Sequence, residues 1–241
     1  MKTLKYYFKD CNKNGYCLGA YNFINMETLK AICEGCKKSQ SPALVSVSEG
    51  ALSYMGENFI KSLFDSAKKT YKLPIFLHLD HGKSYEVCKK AVDLGFDSVM
   101  IDGSALSFED NIKLTKKVVS YAHKKGVLVE AELGVLAGVE DTVSAEKNIY
   151  TDPKSAKEFV EKTGCDTLAV AIGTSHGAYK FKGEQKLRFD ILKQIEKEIP
   201  NTPLVLHGAP SVPQKYVETI NEYGGDMTGA VGIPEKFLAT A

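Results

Sequence analysis

The chain has 241 residues, 44% hydrophobic and 25% charged, a profile that suits one α/β barrel or two smaller globular domains. Its formal charge of +1, from 31 basic and 30 acidic residues, gives no field to steer a polyanion, and no basic run is interleaved with aromatics, so nucleic acid is not expected as a partner. No window is long and apolar enough for a membrane span and the opening "MKTLKYYFKDCNKNGYC" has no signal-peptide core, so a cytoplasmic protein with no membrane partner is expected.

Short apolar or β-branched runs alternate with longer amphipathic segments. In chain order the pattern predicts a strand at Leu18 to Tyr21 and a helix at about Met26 to Lys38, then a strand at Leu44 to Val47 and a helix at Gly56 to Tyr71. The third strand, Ile75 to Leu79, precedes a helix at Ser84 to Leu94, and the fourth, Ser98 to Ile101, precedes a helix at Glu109 to Lys125 that Gly126 stops. Next come a strand at Val127 to Ala131 and a helix at Pro153 to Thr163, whose proline sits in the first turn after "YTD". Strands at Thr167 to Ile172 and Leu204 to Leu206 alternate with helices at Phe189 to Ile199 and Gln214 to Tyr223. The last segment, "GAVGIPEKFLATA", begins a helix after Pro234.

Strands apolar on both faces belong to parallel sheets covered by helices. The βα units recur roughly every 25 to 40 residues, the interval of a (β/α) barrel or a doubly wound sheet. No linker or composition shift divides the chain. The expectation is a single α/β domain over 1–241, a (β/α)8 TIM-type barrel that is incomplete, with about seven βα units and a truncated C-terminus. The six cysteines, Cys11, Cys17, Cys33, Cys36, Cys88 and Cys165, are scattered through a chain large enough to build its own core, so free thiols are expected. Cys33 and Cys36 have no second C-x-x-C to complete a zinc knuckle and read as two thiols one helical turn apart.

In parallel α/β folds the carboxyl ends of the strands build the active site. Asp80 and His81 end the third strand, Asp102 the fourth, Glu132 the fifth, His176 the sixth and His207 the seventh. Three of the five histidines thus fall on one face, each followed by a glycine: Gly82, Gly177 and Gly208. Three imidazoles around an open position make a catalytic zinc site, which suits either a lyase or a hydrolase that activates water. His78 reads as a supporting or core histidine. The glycines allow close backbone approach to an anion or simply tight turns. Glu132 reads as an orienting group or second-site ligand, and Glu140 with Asp141 lies in a glycine-rich loop suited to proton transfer over a substrate.

The motifs "LHLDHG", "GFDSVMIDGSALSFEDN", "VEAELG", "YTDP", "AIGTSHGAYKF" and "PLVLHGAPSVP" together resemble the class II, zinc-dependent fructose-bisphosphate aldolases, from "LGAYNF" to "GAVGIPEKFL". The resemblance implies a lyase of glycolysis and gluconeogenesis that cleaves fructose 1,6-bisphosphate, a phosphorylated sugar, to dihydroxyacetone phosphate and glyceraldehyde 3-phosphate. Tagatose-bisphosphate aldolases share most of these motifs, so tagatose 1,6-bisphosphate is an alternative substrate. A zinc-binding homologue without catalysis is a second alternative. Carried over by position, the resemblance implies that His81, His176 and His207 bind Zn2+ and that Asp80 handles the C4 hydroxyl proton. Glu140 is implied in proton exchange at C3 of dihydroxyacetone phosphate, and Asp102 and Glu132 in an alternative or second metal site. Asn22 and Ser48 match substrate-pocket positions. Gly177 and Gly208 match backbone positions for phosphate and a monovalent cation, Na+ or K+. A homodimer or homotetramer is implied.

Two departures stand out. Pro210 replaces a family serine after "HGA" and removes a backbone donor, with Ser211 next to compensate. The family's closing strand, with its Asn-x-Asp-Thr-like motif, is not in these residues.

Overall fold

The structure, a computed structural model, describes residues 2–135, 138–140, 143–145, 149–175, 187–209 and 211–241, with 138–140 and 143–145 described by their backbone. Side-chain caps start most of the helices. α1 (Leu4–Asn14) opens where the Thr3 hydroxyl accepts from the Tyr6 N–H, and Gly15 closes it at φ 64°. β1 (Gly19–Asn22) leads to α2 (Met26–Ser39), whose capping box pairs Asn25 with Thr28. β2 (Ala43–Ser48) runs straight into α3 (Glu49–Met55), which Ser48 caps, and then α4 (Glu57–Tyr71). β3 (Ile75–Gly82), α5 (Tyr85–Asp93), β4 (Ser98–Ile101) and α6 (Phe108–Ala122) follow, with Ser84 and Ser107 as caps. A 3₁₀ turn at His123–Lys125 leads to β5 (Leu128–Leu133). The chain continues through β6 (Gly138–Glu140), β7 (Val143–Ala145), α7 (Pro153–Thr163), β8 (Thr167–Val170), α8 (Phe189–Glu198), β9 (Leu204–Val205), α9 (Gln214–Glu222) and α10 (Glu235–Leu238).

Seven strands are hydrogen-bonded in the order β1-β2-β3-β4-β5-β8-β9, which is chain order. This is the α/β fold of the expected barrel type with about seven of its units. α1, α3 and the β6–β7 hairpin were not expected from the pattern, and β3 runs three residues past its expected end.

By compactness the chain divides into two units. The first comprises Met1–Glu132, Phe159–Leu168 and Pro200–Pro203, the second Leu133–Glu158, Ala169–Ile199 and Leu204–Ala241. In the first unit β1 to β5 pair in parallel, with Ser46 beside His78, Ser48 beside Asp80 and His78 beside Ser98. Asp166 joins β8 to this sheet, its N–H donating to Val129 O and its carboxylate accepting from the Val129 N–H at 2.8 Å.

Alternation along the strands sorts side chains into two faces. One face, with Val45, Val47, Ile75, Leu77, Leu79, Val99, Ile101, Val129 and Ala131, is fully buried where helices such as α2, α5 and α6 contact the strands. The other face is layered. At its N-terminal end Leu44, Phe76 and Leu128 form an apolar floor with Leu4 of α1, flanked by Tyr7, Phe8 and Leu18. Above the floor Ser46, His78, Ser98 and Glu130 make a buried polar layer, in which His78 Nδ1 lies 2.8 Å from Ser98 Oγ and Nε2 3.8 Å from Glu130. The C-terminal layer holds the site.

In the second unit the Thr151 hydroxyl donates to Leu133 O and accepts from the Ala171 N–H, fixing the start of α7. Gly134, at φ 99°, admits this, since a Cβ there would come within 2.6 Å of Thr151 Oγ1. α8 and α10 meet through Phe189 and Phe237, with ring centroids 6.0 Å apart.

Candidate active site

Strict alternation would send Asp80 to the same face as His78 and would turn His81 away, toward the helices beside Leu79. His81 does not follow the rule. Its φ is +48°, a left-handed conformation that is rare and costly for a side-chain-bearing residue, and the β3–β4 register shifts between Leu79 and Gly82. The bulge returns His81 to the face of Asp80, so that two successive residues serve one site. Gly82 completes the device: a Cβ there would lie 2.7 Å from Met100 O and 2.9 Å from Cys88 Sγ. Its missing side chain therefore serves packing.

His81 Nδ1 lies 3.0 Å from Asp102 Oδ2 and 3.6 Å from Glu132 Oε2, and Nε2 is 4.0 Å from Asp80 Oδ1. A carboxylate only accepts, so Nδ1 carries the proton toward Asp102, and in the neutral ring Nε2 is then the basic, metal-binding nitrogen. Burial by itself would raise the Asp102 carboxyl, but hydrogen bonds from His81, Lys83 and Ser104 outweigh it and hold the group well below the usual carboxylate range. Asp80 Oδ2 accepts from Asn22 Nδ2 at 2.7 Å, which orients a buried carboxylate without neutralising it.

The first unit thus brings together five of the expected residues: Asn22, Asp80, His81, Asp102 and Glu132. Ser48 stands beside Asp80 in register, but its hydroxyl accepts from the Ala51 N–H at 3.2 Å and caps α3. His207 and Gly208 follow β9 in the second unit, where Gly208 has φ 62°, and Ser211 is exposed. His176, Gly177, Asp141 and Pro210, and the side chain of Glu140, lie outside the described residues.

Other residues of the site were not anticipated. The Lys83 ammonium contacts Asp102 Oδ2 at 2.8 Å, while the Lys83 N–H donates to Glu49. Ser104 donates through both N–H and Oγ to Asp102 Oδ1, a turn that the Asp-Gly-Ser order of "IDGS" could have signalled. Asn111 of α6 donates to Glu132 O at 2.9 Å, and it sits where a Cβ on Gly103 would be, 2.4 Å from its Oδ1. Asn111 Oδ1 accepts from Thr115 of the same helix, and nothing in local sequence marks the link to Glu132, which comes from β5.

His81, Asp102 and Glu132 can each turn one ligand atom to within 4.8 Å of the others. Imidazole nitrogen and carboxylate oxygens are the donor types of a divalent transition-metal site, and His81 Nε2 is the nitrogen left to serve one once Nδ1 is given to Asp102. The family profile described as "Fructose-bisphosphate aldolase class-II" matches residues 2–226.

The chain belongs to the class II fructose-bisphosphate aldolase family.

The fructose-bisphosphate aldolase of Treponema pallidum (strain Nichols) is 48% identical over 253 aligned residues, covering 97% of this chain and 76% of that protein. The corresponding aldolase of Helicobacter pylori (strain ATCC 700392 / 26695) is 47% identical, over 94% of this chain and 75% of its own length. Among solved structures, the YdjI aldolase from Escherichia coli K12 superposes with a TM-score of 0.75 at 33% identity, over 93% of this chain and 79% of that one. Membership of the class II aldolases makes the chain a lyase. No helix among the described residues is long and apolar enough to cross a membrane.

Proposed function

We propose that this class II aldolase cleaves fructose 1,6-bisphosphate reversibly to dihydroxyacetone phosphate and glyceraldehyde 3-phosphate, with Zn2+ held by His81, His176 and His207. The observation that carries the reading is the pairing of Asp80 and His81 on one face at the end of β3, each oriented by its own partner, Asn22 and Asp102. A bound divalent cation supplies Lewis-acid stabilisation of the negative charge that develops on the ketose fragment as C3–C4 breaks. Asp80 takes the proton of the C4 hydroxyl as general base and returns it in condensation. Asn22 holds Asp80 in the orientation that leaves Oδ1 toward the substrate side. Asp102 fixes the His81 tautomer, and Glu140 exchanges the C3 proton of the ketose product. Gly177 and Gly208 offer backbone amides to a substrate phosphate, with Na+ or K+ beside it. The positive φ of Gly208 supports this. The chain acts in a cytoplasmic homodimer or homotetramer.

Replacing Asp80 by Asn keeps its size and its contact with Asn22 but removes the base. Steady-state cleavage of fructose 1,6-bisphosphate by Asp80→Asn is expected to lose roughly 10²–10⁴ in kcat with KM changed little. Unchanged kcat would sink the assignment. Running tagatose 1,6-bisphosphate in parallel decides the sugar, since faster cleavage of the tagatose epimer would reassign the substrate.

A further inference from the structure

Asp102 accepts from four donors around the site. Oδ1 accepts from the Ser104 N–H at 3.1 Å and from the Ser104 hydroxyl at 2.6 Å. Oδ2 accepts from His81 Nδ1 at 3.0 Å and from Lys83 Nζ at 2.8 Å. A carboxylate offers about four lone-pair positions, and here four donors use them. The His81–Asp102–Glu132 cluster has the donor types of a metal site, yet any cation bound there through Asp102 must displace one of these donors and approach the Lys83 ammonium.

Lys83 is itself held in place. It follows Gly82, whose backbone is pinned by packing, and its N–H donates to Glu49 at the start of α3. Its side chain is about one-third exposed, with the head turned inward to Asp102, which is 2% exposed at the side chain. The long apolar stem permits this while part of it meets solvent.

We propose that Lys83 is a positioning residue for the metal centre: its ammonium, fixed on Asp102 Oδ2, keeps divalent cations off the His81–Asp102–Glu132 cluster and reserves Asp102 for orienting His81. The inference rests on the metal-centre reading above and adds to it a reason for single occupancy. Lys83 does the electrostatic work of a second metal at that carboxylate, as a charge that cannot dissociate. Two like charges competing for one oxygen disfavour joint occupancy, and the lysine is always present at high effective concentration.

The test is Co2+ titration of the metal-stripped 241-residue chain, followed by visible absorption and by metal content after gel filtration, for wild type, Lys83→Met and Lys83→Arg. Circular dichroism checks that each variant folds. Wild type is expected to bind a single equivalent. Lys83→Met should take up a second equivalent at least tenfold more tightly than wild type does, with a new absorption band, and Lys83→Arg should restore the wild-type titration. Identical titrations for wild type and Lys83→Met would overturn the role of Lys83 and leave the aldolase reading intact, as would a wild type that already binds two equivalents. A folded wild type that binds no Co2+ would remove the metal-centre reading and this inference together.

Discussion

At the scale of single residues, burial decides which side chains keep their solution chemistry. Cys33 is fully buried in α2, and burial pushes its thiol up to about 11. Burial likewise pushes Cys165 up to about 11 and raises Cys11, Cys36 and Cys88, whereas Cys17 is exposed. Only thiolates attack disulfide reagents, so a raised pKa and an inaccessible sulfur act in the same direction. With 5,5′-dithiobis(2-nitrobenzoate) at pH 8, one thiol of the six is expected to react quickly in the native chain, and all six in denaturant. Fast reaction of Cys33 or Cys36 would mean that the C-x-x-C is a working redox pair. The helical spacing of these two cysteines was legible in the sequence. The grip of Lys83 and Asn111 on the site was not, because each acts through a partner about twenty residues away, Asp102 and Glu132, whereas the Ser104 turn lies within "IDGS".

At the scale of elements, glycines separate the demands of packing from those of the backbone. A methyl group at Gly82 would meet Met100 O and Cys88 Sγ at under 3 Å, within the bulge that aims His81, while one at Gly35, inside α2, would meet nothing within 4 Å. Gly82→Ala should therefore destabilise the fold by about 1–3 kcal/mol through overpacking. Gly35→Ala should stabilise it by about 0.5–1 kcal/mol by lowering unfolded-chain entropy. Urea unfolding of both variants checks the pair, and a Gly82→Ala protein as stable as wild type would contradict the bulge as described. The same bulge explains why β3 exceeds its expected length: apolar periodicity stops at Leu79, but the Asp102 N–H still donates to Gly82 O at 2.9 Å. α1 was missed for a related reason. Its stripe of Leu4, Tyr7, Phe8 and Cys11 has helical spacing but is short, and its floor contacts come from Leu44, Phe76 and Leu128 far along the chain.

At the scale of the whole molecule, the expected βα alternation holds because each parallel strand must have both faces covered, a constraint written directly into apolar runs. Strand order was not readable from that pattern, which suits a doubly wound sheet as well as a barrel; the family resemblance pointed to the barrel, and the strands do lie in chain order. Polar residues inside that frame carry the proposed function: a strand that ends in Asp-His, over a polar layer and an apolar floor, costs stability unless a ligand uses it. The central claim is thus a metal-dependent lyase, and the most direct measurement is a coupled assay of fructose 1,6-bisphosphate cleavage by this 241-residue chain, with zinc content determined on the same sample, before and after chelation. Stoichiometric zinc, with cleavage abolished by the chelator and restored by added Zn2+, is the predicted result; a folded chain whose cleavage is indifferent to chelation, or which holds zinc and cleaves neither sugar bisphosphate, would contradict it.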